Sequence, residues 1–338
     1  MEKYLPKSNR TSAFQKNIEL DGLLSELNGS LALAGANVLK NIEGEPDYPL
    51  IFVMGPHRSG TTLITQWLAT TGIVAYPTNL LSRFYGAPLI GAQIQMLLTD
   101  PKFNFRNEIL DFNSPIDFSS ENGKTTGALA PNEFWYFWRR FLPFGELDWL
   151  SDTELFQSSD YEGLVTELTS LTRVFQKPFA LKAMILNYNI PFLDEIFKKA
   201  LFIQIKRDPI SNVASILDAR RKQLGSEAQW YSFKIPEYEE LKELEPKMQA
   251  AGQLHYINKA VDKGMSSVAE SKKLVVYYED FCKNPEKYFD KIKEKLNMDK
   301  EKNEYSGVKK FNVTRDSKKY EHDAISDAVK SWAECDET

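Results

Sequence analysis

The chain has 338 residues, 42% hydrophobic and 26% charged, which is enough apolar material for a large core and excludes a disordered or fibrous protein. Forty-two Lys and Arg stand against 47 Asp and Glu, a formal charge of −5 that argues against a general nucleic-acid binder while permitting a local basic pocket. Two cysteines, Cys282 and Cys335, and three histidines exclude a disulfide scaffold and speak against a Cys- or His-rich metal centre.

The length suits two domains, or one α/β domain with a large insertion. The start, MEKYLPKSNR, lacks an apolar signal core, and no apolar run approaches the roughly 18 residues of a membrane span. The expectation is a soluble, cytoplasmic protein without a membrane partner.

In chain order, Leu20 to Ile42 reads as a helix with an apolar stripe of Leu23, Leu24, Leu27, Leu31 and Val38. A linker with two prolines, Glu43 to Pro49, follows. Leu50 to Met54 (LIFVM) is a continuous apolar run, the pattern of a strand buried on both faces. It meets Gly55, and a helix is predicted from near Thr61 to Gly72 with Leu63, Ile64, Trp67 and Leu68 on one face. Three further buried strands are predicted at Phe179–Ile185, Ala200–Lys206 and Leu274–Glu279, with helical spacing between them. Apolar strands alternating with helices predict an α/β fold: a central parallel sheet with flanking helices.

Residues 77–150 break this rhythm. The stretch is rich in aromatics, Pro and Gly and contains APNEFWYFWRRFLPF, and it is too long for an ordinary connection. We read it as a partly helical aromatic insertion that covers or builds a substrate site. The predicted organisation is an N-terminal helical extension (1–48), a main domain (49–298) and a charged C-terminal tail (299–338).

Gly55-Pro56-His57-Arg58-Ser59-Gly60-Thr61-Thr62 carries the most chemistry. Its two outer glycines have P-loop spacing, and the segment sits between a buried strand and a helix. Converging backbone N–H groups and a helix N-terminus make such a loop an anion site. A nucleoside triphosphatase would have Lys where Thr61 stands. Here the cation lies within the loop, at Arg58, which suits a less charged anion held without a metal.

The form P-x-R-S-G-T-T resembles the 5'-phosphosulfate loop of sulfotransferases that use 3'-phosphoadenosine 5'-phosphosulfate (PAPS), closest to the carbohydrate and tyrosylprotein branches. The resemblance covers residues 49–76 and 179–297 in outline. It implies a P-loop-like sulfotransferase fold, with Arg58, Ser59, Gly60, Thr61 and Thr62 on the phosphosulfate and no metal. It also implies a second anchor, a strand-end Arg with a Ser eight residues later, for the 3'-phosphate. Arg207 after Ala200–Lys206, and Ser215 on the next helix, match that spacing. Their placement has its own logic, since parallel sheets bind ligands at the carboxyl ends of their strands and a guanidinium with a hydroxyl receives phosphate well. Glu279 and Asp280 match a later family strand and read as fold residues.

The inferred chemistry is in-line sulfuryl transfer, with Arg58 and Lys182 stabilising charge on the leaving phosphate. The His that follows Lys182 in the cytosolic branch is absent here, and so is the Glu that the tyrosylprotein branch carries after its first helix. The candidate bases are Glu133, beside the aromatic run, and His57, inside the loop; Asp117 and Glu121 are further candidates. His57 either faces the sulfuryl group or packs away from it. The run Phe134–Trp138 is either lid core or a platform for sugar rings, with Arg139 and Arg140 to meet acidic sugars. Arg220, Arg221 and Lys222 read as a solvated helix face, His255 and His322 as surface or core histidines. Asn312, Arg315, Lys318 and Lys319 are candidates to close over the 3'-phosphate. The expected function is sulfuryl transfer from PAPS to a carbohydrate or glycan hydroxyl. The alternatives are a P-loop kinase or nucleotide hydrolase and a non-catalytic nucleotide- or glycan-binding protein.

Overall fold

The computed structural model describes residues 10–15, 17–104, 108–109, 112, 115–118, 124–299, 304–314 and 322–334. In chain order its elements are α1 (Ile18–Leu39), β1 (Leu50–Met54), α2 (Thr61–Thr70), α3 (Pro88–Thr99), α4 (Trp135–Phe141), α5 (Asp152–Ser158), α6 (Tyr161–Phe175), β2 (Phe179–Lys182), α7 (Ile190–Ile196), β3 (Ala200–Lys206), α8 (Pro209–Leu224), α9 (Tyr238–Leu241), α10 (Pro246–Ser267), β4 (Lys273–Tyr277), α11 (Tyr278–Lys283), α12 (Pro285–Lys295) and α13 (His322–Glu334).

The four strands form one parallel sheet in the order β2-β1-β3-β4. β1 lies at its centre, with Leu50 opposite both Phe179 and Ala200. Strand alternation divides the apolar side chains between two cores. Leu50, Phe52 and Met54 face one that includes Phe179, Phe202 and Phe137, while Ile51 and Val53 face another with Trp67, Ile203 and Phe281. Burial on both faces explains why the strands read as continuous apolar runs.

β1 and β3 follow the sequence expectation. β2 is shorter, ending at Lys182 rather than Ile185. Its partner β1 turns away after Met54, so the ladder stops, and Met184–Leu186 forms a 3₁₀ turn instead. Asn187 then does what another strand residue would have done: its Oδ1 accepts from Gly55 N and its Nδ2 donates to Gly55 O, both at 2.9 Å. β4 stops at Tyr277, and Tyr278 begins α11.

α1 forms as expected, but its buried stripe is different. Leu24, Asn28 and Gly35 are buried, whereas Leu23 and Val38 are exposed. The stripe follows Asn28, whose side chain donates to Arg83 O and accepts from Gly86 N. Gly35 lies so close to Ala87 that a Cβ would come within 3.0 Å of that side chain. α1 is therefore seated on the segment before α3.

In the insertion, Phe134, Phe137 and Trp138 are fully buried in the larger core, and Phe134 stacks on Phe137 with centroids 4.4 Å apart. These three rings are core, while Trp135 is half-buried and Tyr136 exposed. Arg140 makes a bidentate pair with buried Glu167 (2.7 and 2.8 Å) and is committed to the fold, whereas Arg139 is exposed and pairs with Asp148 through one nitrogen. Arg220 also departs from expectation. It is fully buried, with Nη2 and Nη1 on Gln253 Oε1 and Gln249 Oε1, and lies against the Trp230 ring. Only Arg221 and Lys222 form the solvated face, both paired with Asp218.

The C-terminal region contains a helix that the charge pattern did not announce. α13 packs against α8 and α10 through Ile325, Ala328 and Trp332, and His255 stacks on Trp332. His322 is exposed. Among the described residues, no helix is long and apolar enough to cross a membrane.

Candidate active site

β1 delivers its chain into the loop Gly55–Gly60, and α2 starts at Thr61. Both glycines have positive φ, +134° and +103°. A Cβ at Gly60 would lie 2.4 Å from the Tyr278 ring, and one at Gly55 would lie 2.8 Å from Ile205 O. Only glycine permits this packing and backbone conformation. The first turn of α2 has N–H groups without intrahelical partners, so Thr61 and Thr62 open an anion-binding end. Ser59 Oγ is buried at the loop and has no hydrogen-bond partner among the described residues, as suits a hydroxyl that receives a ligand.

Arg58 sits within the loop in a left-handed conformation, φ 65°. Its Nε donates to Ser215 Oγ at 3.2 Å. Arg207 leaves the end of β3, donates from Nη1 to Arg58 O at 2.7 Å, and lies 4.9 Å from the Tyr278 ring centroid. The two anchors expected from the sequence thus adjoin. Helix α8 supports both: Asp208 caps it and Asn212 Nδ2 donates to His57 O at 3.0 Å. Arg58 is turned toward Ser215 on α8 rather than toward Lys182.

Lys182, at the last position of β2, donates to Thr62 Oγ1 at 3.0 Å and pairs with Glu133 Oε1. The Lys182 side chain is buried while that of Glu133 is 27% exposed. Glu133 Oε2 accepts from Trp135 Nε1. Asn132 holds this carboxylate in place: its N donates to Pro77 O, its Nδ2 to Asn79 Oδ1, and its Oδ1 accepts from Phe134 N. Phe134 takes a positive φ of 59° at the start of α4, which aims Glu133 back at the sheet. Two residues distant in sequence therefore meet over the phosphate loop.

His57 is buried, and its ring packs edge-on against Tyr231 with centroids 5.4 Å apart. Burial, then the charges of Arg220 and Arg58, hold its pKa down to about 3. An imidazole so weakly basic is poorly suited to taking a proton at neutral pH. Asp117 offers its backbone carbonyl to Gln66, while Glu121, Arg315, Lys318, Lys319 and Cys335 lie outside the described residues. Asn312 is exposed; two residues on, Thr314 O accepts from Arg207 Nη2. Glu279 and Asp280 do serve the fold, accepting from Asp208 N and from Lys287 and Tyr288 respectively.

Tyr231 and Asn187 are the residues that sequence reasoning missed. Tyr231 Oη accepts from Gln223 Nε2 at 3.0 Å. Burial raises its pKa, opposed by Arg58 and reinforced by Glu133, so it lies within the field of both. Neither residue belongs to a motif, and no local pattern marks them.

The donor set of loop amides, Ser59, Arg58, Arg207 and Ser215, beside an aromatic ring, fits an anionic nucleotide with phosphates at both ends. Among the described residues, no cluster of three or more His, Cys, Asp or Glu could hold a metal ion.

No curated protein matches the chain. Solved structures that share the fold include the sulfotransferase STF9 from Mycobacterium avium (17% identity, 96% of this chain and 86% of that one, TM-score 0.58) and the sulfotransferase STF1 from Mycobacterium tuberculosis H37Rv (11% identity, 97% and 89%, TM-score 0.56). The family model described as "Sulfotransferase family" matches residues 49–302, about three quarters of the length. On that match, the chain belongs to the sulfotransferase family, whose members take a sulfuryl group from PAPS.

Proposed function

We propose that the protein moves the sulfuryl group of PAPS to an acceptor hydroxyl, with Glu133 as general base and Lys182 as the cation at the reacting centre. The observation that carries this reading is the meeting of Glu133 and Lys182 beside Thr62, at the mouth of the phosphate loop. The loop amides, Ser59, Thr61 and Thr62 hold the 5'-phosphosulfate, and Arg207 and Ser215 the 3'-phosphate. Arg58 bridges the two ends. Glu133 takes the acceptor proton as the acceptor oxygen bonds to sulfur. The bond from sulfur to the bridging phosphate oxygen breaks, and adenosine 3',5'-bisphosphate (PAP) leaves with the electron pair. Lys182 stabilises the charge that grows on that oxygen, a task for which its buried, fixed position suits it.

The expectation of a carbohydrate acceptor rested on the Arg form of the loop and on the aromatic insertion. Of the second support only Trp135 and Tyr136 stay accessible, because Phe134, Phe137 and Trp138 are core. His57 is set aside as base by its burial and low basicity.

The test pairs thermal shift with turnover. PAP at about 100 times its Kd should stabilise the protein by about 2.7 kcal/mol, and ATP by much less. Glu133→Gln should lower PAPS turnover by about 10²- to 10⁴-fold while PAP still binds. Stabilisation by ATP with magnesium and not by PAP would refute the reading.

A further inference from the structure

We propose that Tyr231 is a third residue of the reacting centre, whose hydroxyl donates to an oxygen of the sulfuryl group and holds that group in line between Glu133 and its leaving oxygen. This inference rests on the sulfuryl-transfer reading of the Glu133–Lys182 site and assigns a further residue to it.

The turn Trp230–Phe233 touches both halves of the site. Tyr231 lays its ring edge-on against His57, the loop residue next to Arg58, with centroids 5.4 Å apart. Two residues on, Phe233 meets the Trp135 ring with centroids 5.2 Å apart, and the Trp135 indole donates to Glu133. One short turn therefore reaches the donor loop with one side chain and the neighbour of the base with another. Lys182 approaches from β2, on one side of β1. Tyr231 is held by Gln223 of α8, the helix that follows β3 on the other side.

The turn is fixed by more than its own chain. Ser232 has a φ of 71°, disfavoured for a residue with a side chain and kept only where the surroundings enforce it. Trp230 Nε1 donates to Phe233 O at 2.8 Å and closes the turn. Gln253 Nε2 donates to Tyr231 O at 3.0 Å and to Phe233 O at 3.3 Å. Gln253 Oε1 in turn accepts from buried Arg220, whose guanidinium lies 5.8 Å from the Trp230 ring centroid. Arg220 thus ties α8, α10 and the strained turn together.

The hydroxyl itself is oriented. Tyr231 Oη accepts from Gln223 Nε2 at 3.0 Å, and Thr11 N donates to Gln223 O at 2.8 Å, which fixes the end of α8 that carries this amide. A phenol has one proton to give, and among the described residues no acceptor takes it. Burial raises its pKa, Arg58 opposes and Glu133 reinforces, so the hydroxyl keeps that proton at neutral pH. An oriented donor that feels both the loop cation and the base suits an oxygen of an anionic group lying between them. Contacts of this kind keep the reacting atoms in line, and a misplacement of about 1 Å costs about 10²-fold in rate.

The experiment compares Tyr231→Phe with the wild-type protein, because phenylalanine keeps the ring against His57 and removes only the hydroxyl. Isothermal titration with PAP and with PAPS gives two dissociation constants, and release of PAP from PAPS with water as the sole acceptor gives a rate. PAP has no sulfuryl group, so its Kd should stay within about twofold. The Kd for PAPS should rise about three- to tenfold relative to that for PAP, the effect of losing one hydrogen bond. Release of PAP at saturating PAPS should fall by about 10- to 100-fold, with an unchanged urea midpoint. Gln223→Met keeps the hydroxyl but lets it turn. It should move the same ratio and rate in the same direction by a smaller factor, and it decides the matter if Tyr231→Phe lowers the urea midpoint. Three outcomes overturn the inference. The first is a wild-type rate and PAPS-to-PAP ratio in Tyr231→Phe. The second is a fall in rate with the ratio unmoved, which would place the hydroxyl on the acceptor instead. The third is equal weakening of PAP and PAPS, which would make Tyr231 a support of the loop. In each of these the donor reading survives. Failure of the wild-type protein to bind PAP would instead remove that reading, and the role of Tyr231 with it.

Discussion

Arg58 Nε and Ser215 Oγ are 3.2 Å apart, so the loop cation is tied to the very hydroxyl proposed for the second phosphate anchor. The arrangement makes the two ends of the proposed donor site one unit. Hydrogen bonds to a charged group contribute about 1.5–3 kcal/mol each. Ser215→Ala should therefore weaken PAP binding roughly tenfold, and Arg207→Ala, which loses a charge that also braces Arg58 O, about 100-fold. Isothermal titration with PAP measures both. Arg207→Ala binding as tightly as the wild type would show that this anchor is misplaced.

Lys182→Met separates chemistry from donor binding. The fold should tolerate it, because Glu133 retains solvent and the Trp135 indole. Turnover of PAPS should fall by about 10²- to 10³-fold, the usual range for a preorganised electrostatic contact. The Kd for PAP should stay within about twofold. A large loss of PAP affinity with little loss of kcat would move Lys182 from the reacting centre to donor binding.

Gly60→Ala tests the packing of the loop. The new methyl meets the Tyr278 ring, and the backbone keeps a φ that alanine disfavours. Positive-φ strain alone costs on the order of 1–3 kcal/mol. We expect a lower urea midpoint and a weaker PAP response. Unchanged values for both would mean that the loop relaxes more easily than its contacts suggest.

His57 should make stability depend on pH. Its folded pKa, about 3, lies below the ordinary value of 6.5, because burial and the nearby Arg220 and Arg58 disfavour the charged ring. The unfolded chain binds the extra proton first as pH falls. Stability contributed by neutral His57 is thus full above about pH 6.5 and declines toward pH 3, by up to about 1.4 kcal/mol per pH unit. Urea unfolding at pH 7.5, 6.0 and 5.0 should show this decline, and His57→Gln should flatten it. An identical slope in the variant would assign the effect to other groups.

Much of the frame was legible because burial on both faces writes itself as uninterrupted apolar runs: LIFVM and ALFIQIK became β1 and β3 with the expected limits. The loop was legible because its glycines, its cation and its context coincide within eight residues. Glu133 stood out only as a carboxylate beside rings; that Lys182 would be its partner was not written in either segment. Tyr231, Asn187 and Arg220 were hidden for the same reason. Each is a lone polar residue whose surroundings arise from chain segments far away. Arg220 in particular sits in a run of three basic residues that looks like solvent-facing charge, and only its packing on Gln249, Gln253 and Trp230 sets it apart. α13 was obscured by charged neighbours, although Ile325, Ala328 and Trp332 do recur at helical spacing.

The side chain of Asn187 imitates a peptide group where β2 has run out of partner. The end of that strand and the start of the loop are therefore stitched to each other by a pair of hydrogen bonds. Lys182 at the end of β2 and Thr62 just past the loop are thereby held in one hydrogen-bonded frame, which fixes the spacing on which their own 3.0 Å contact depends.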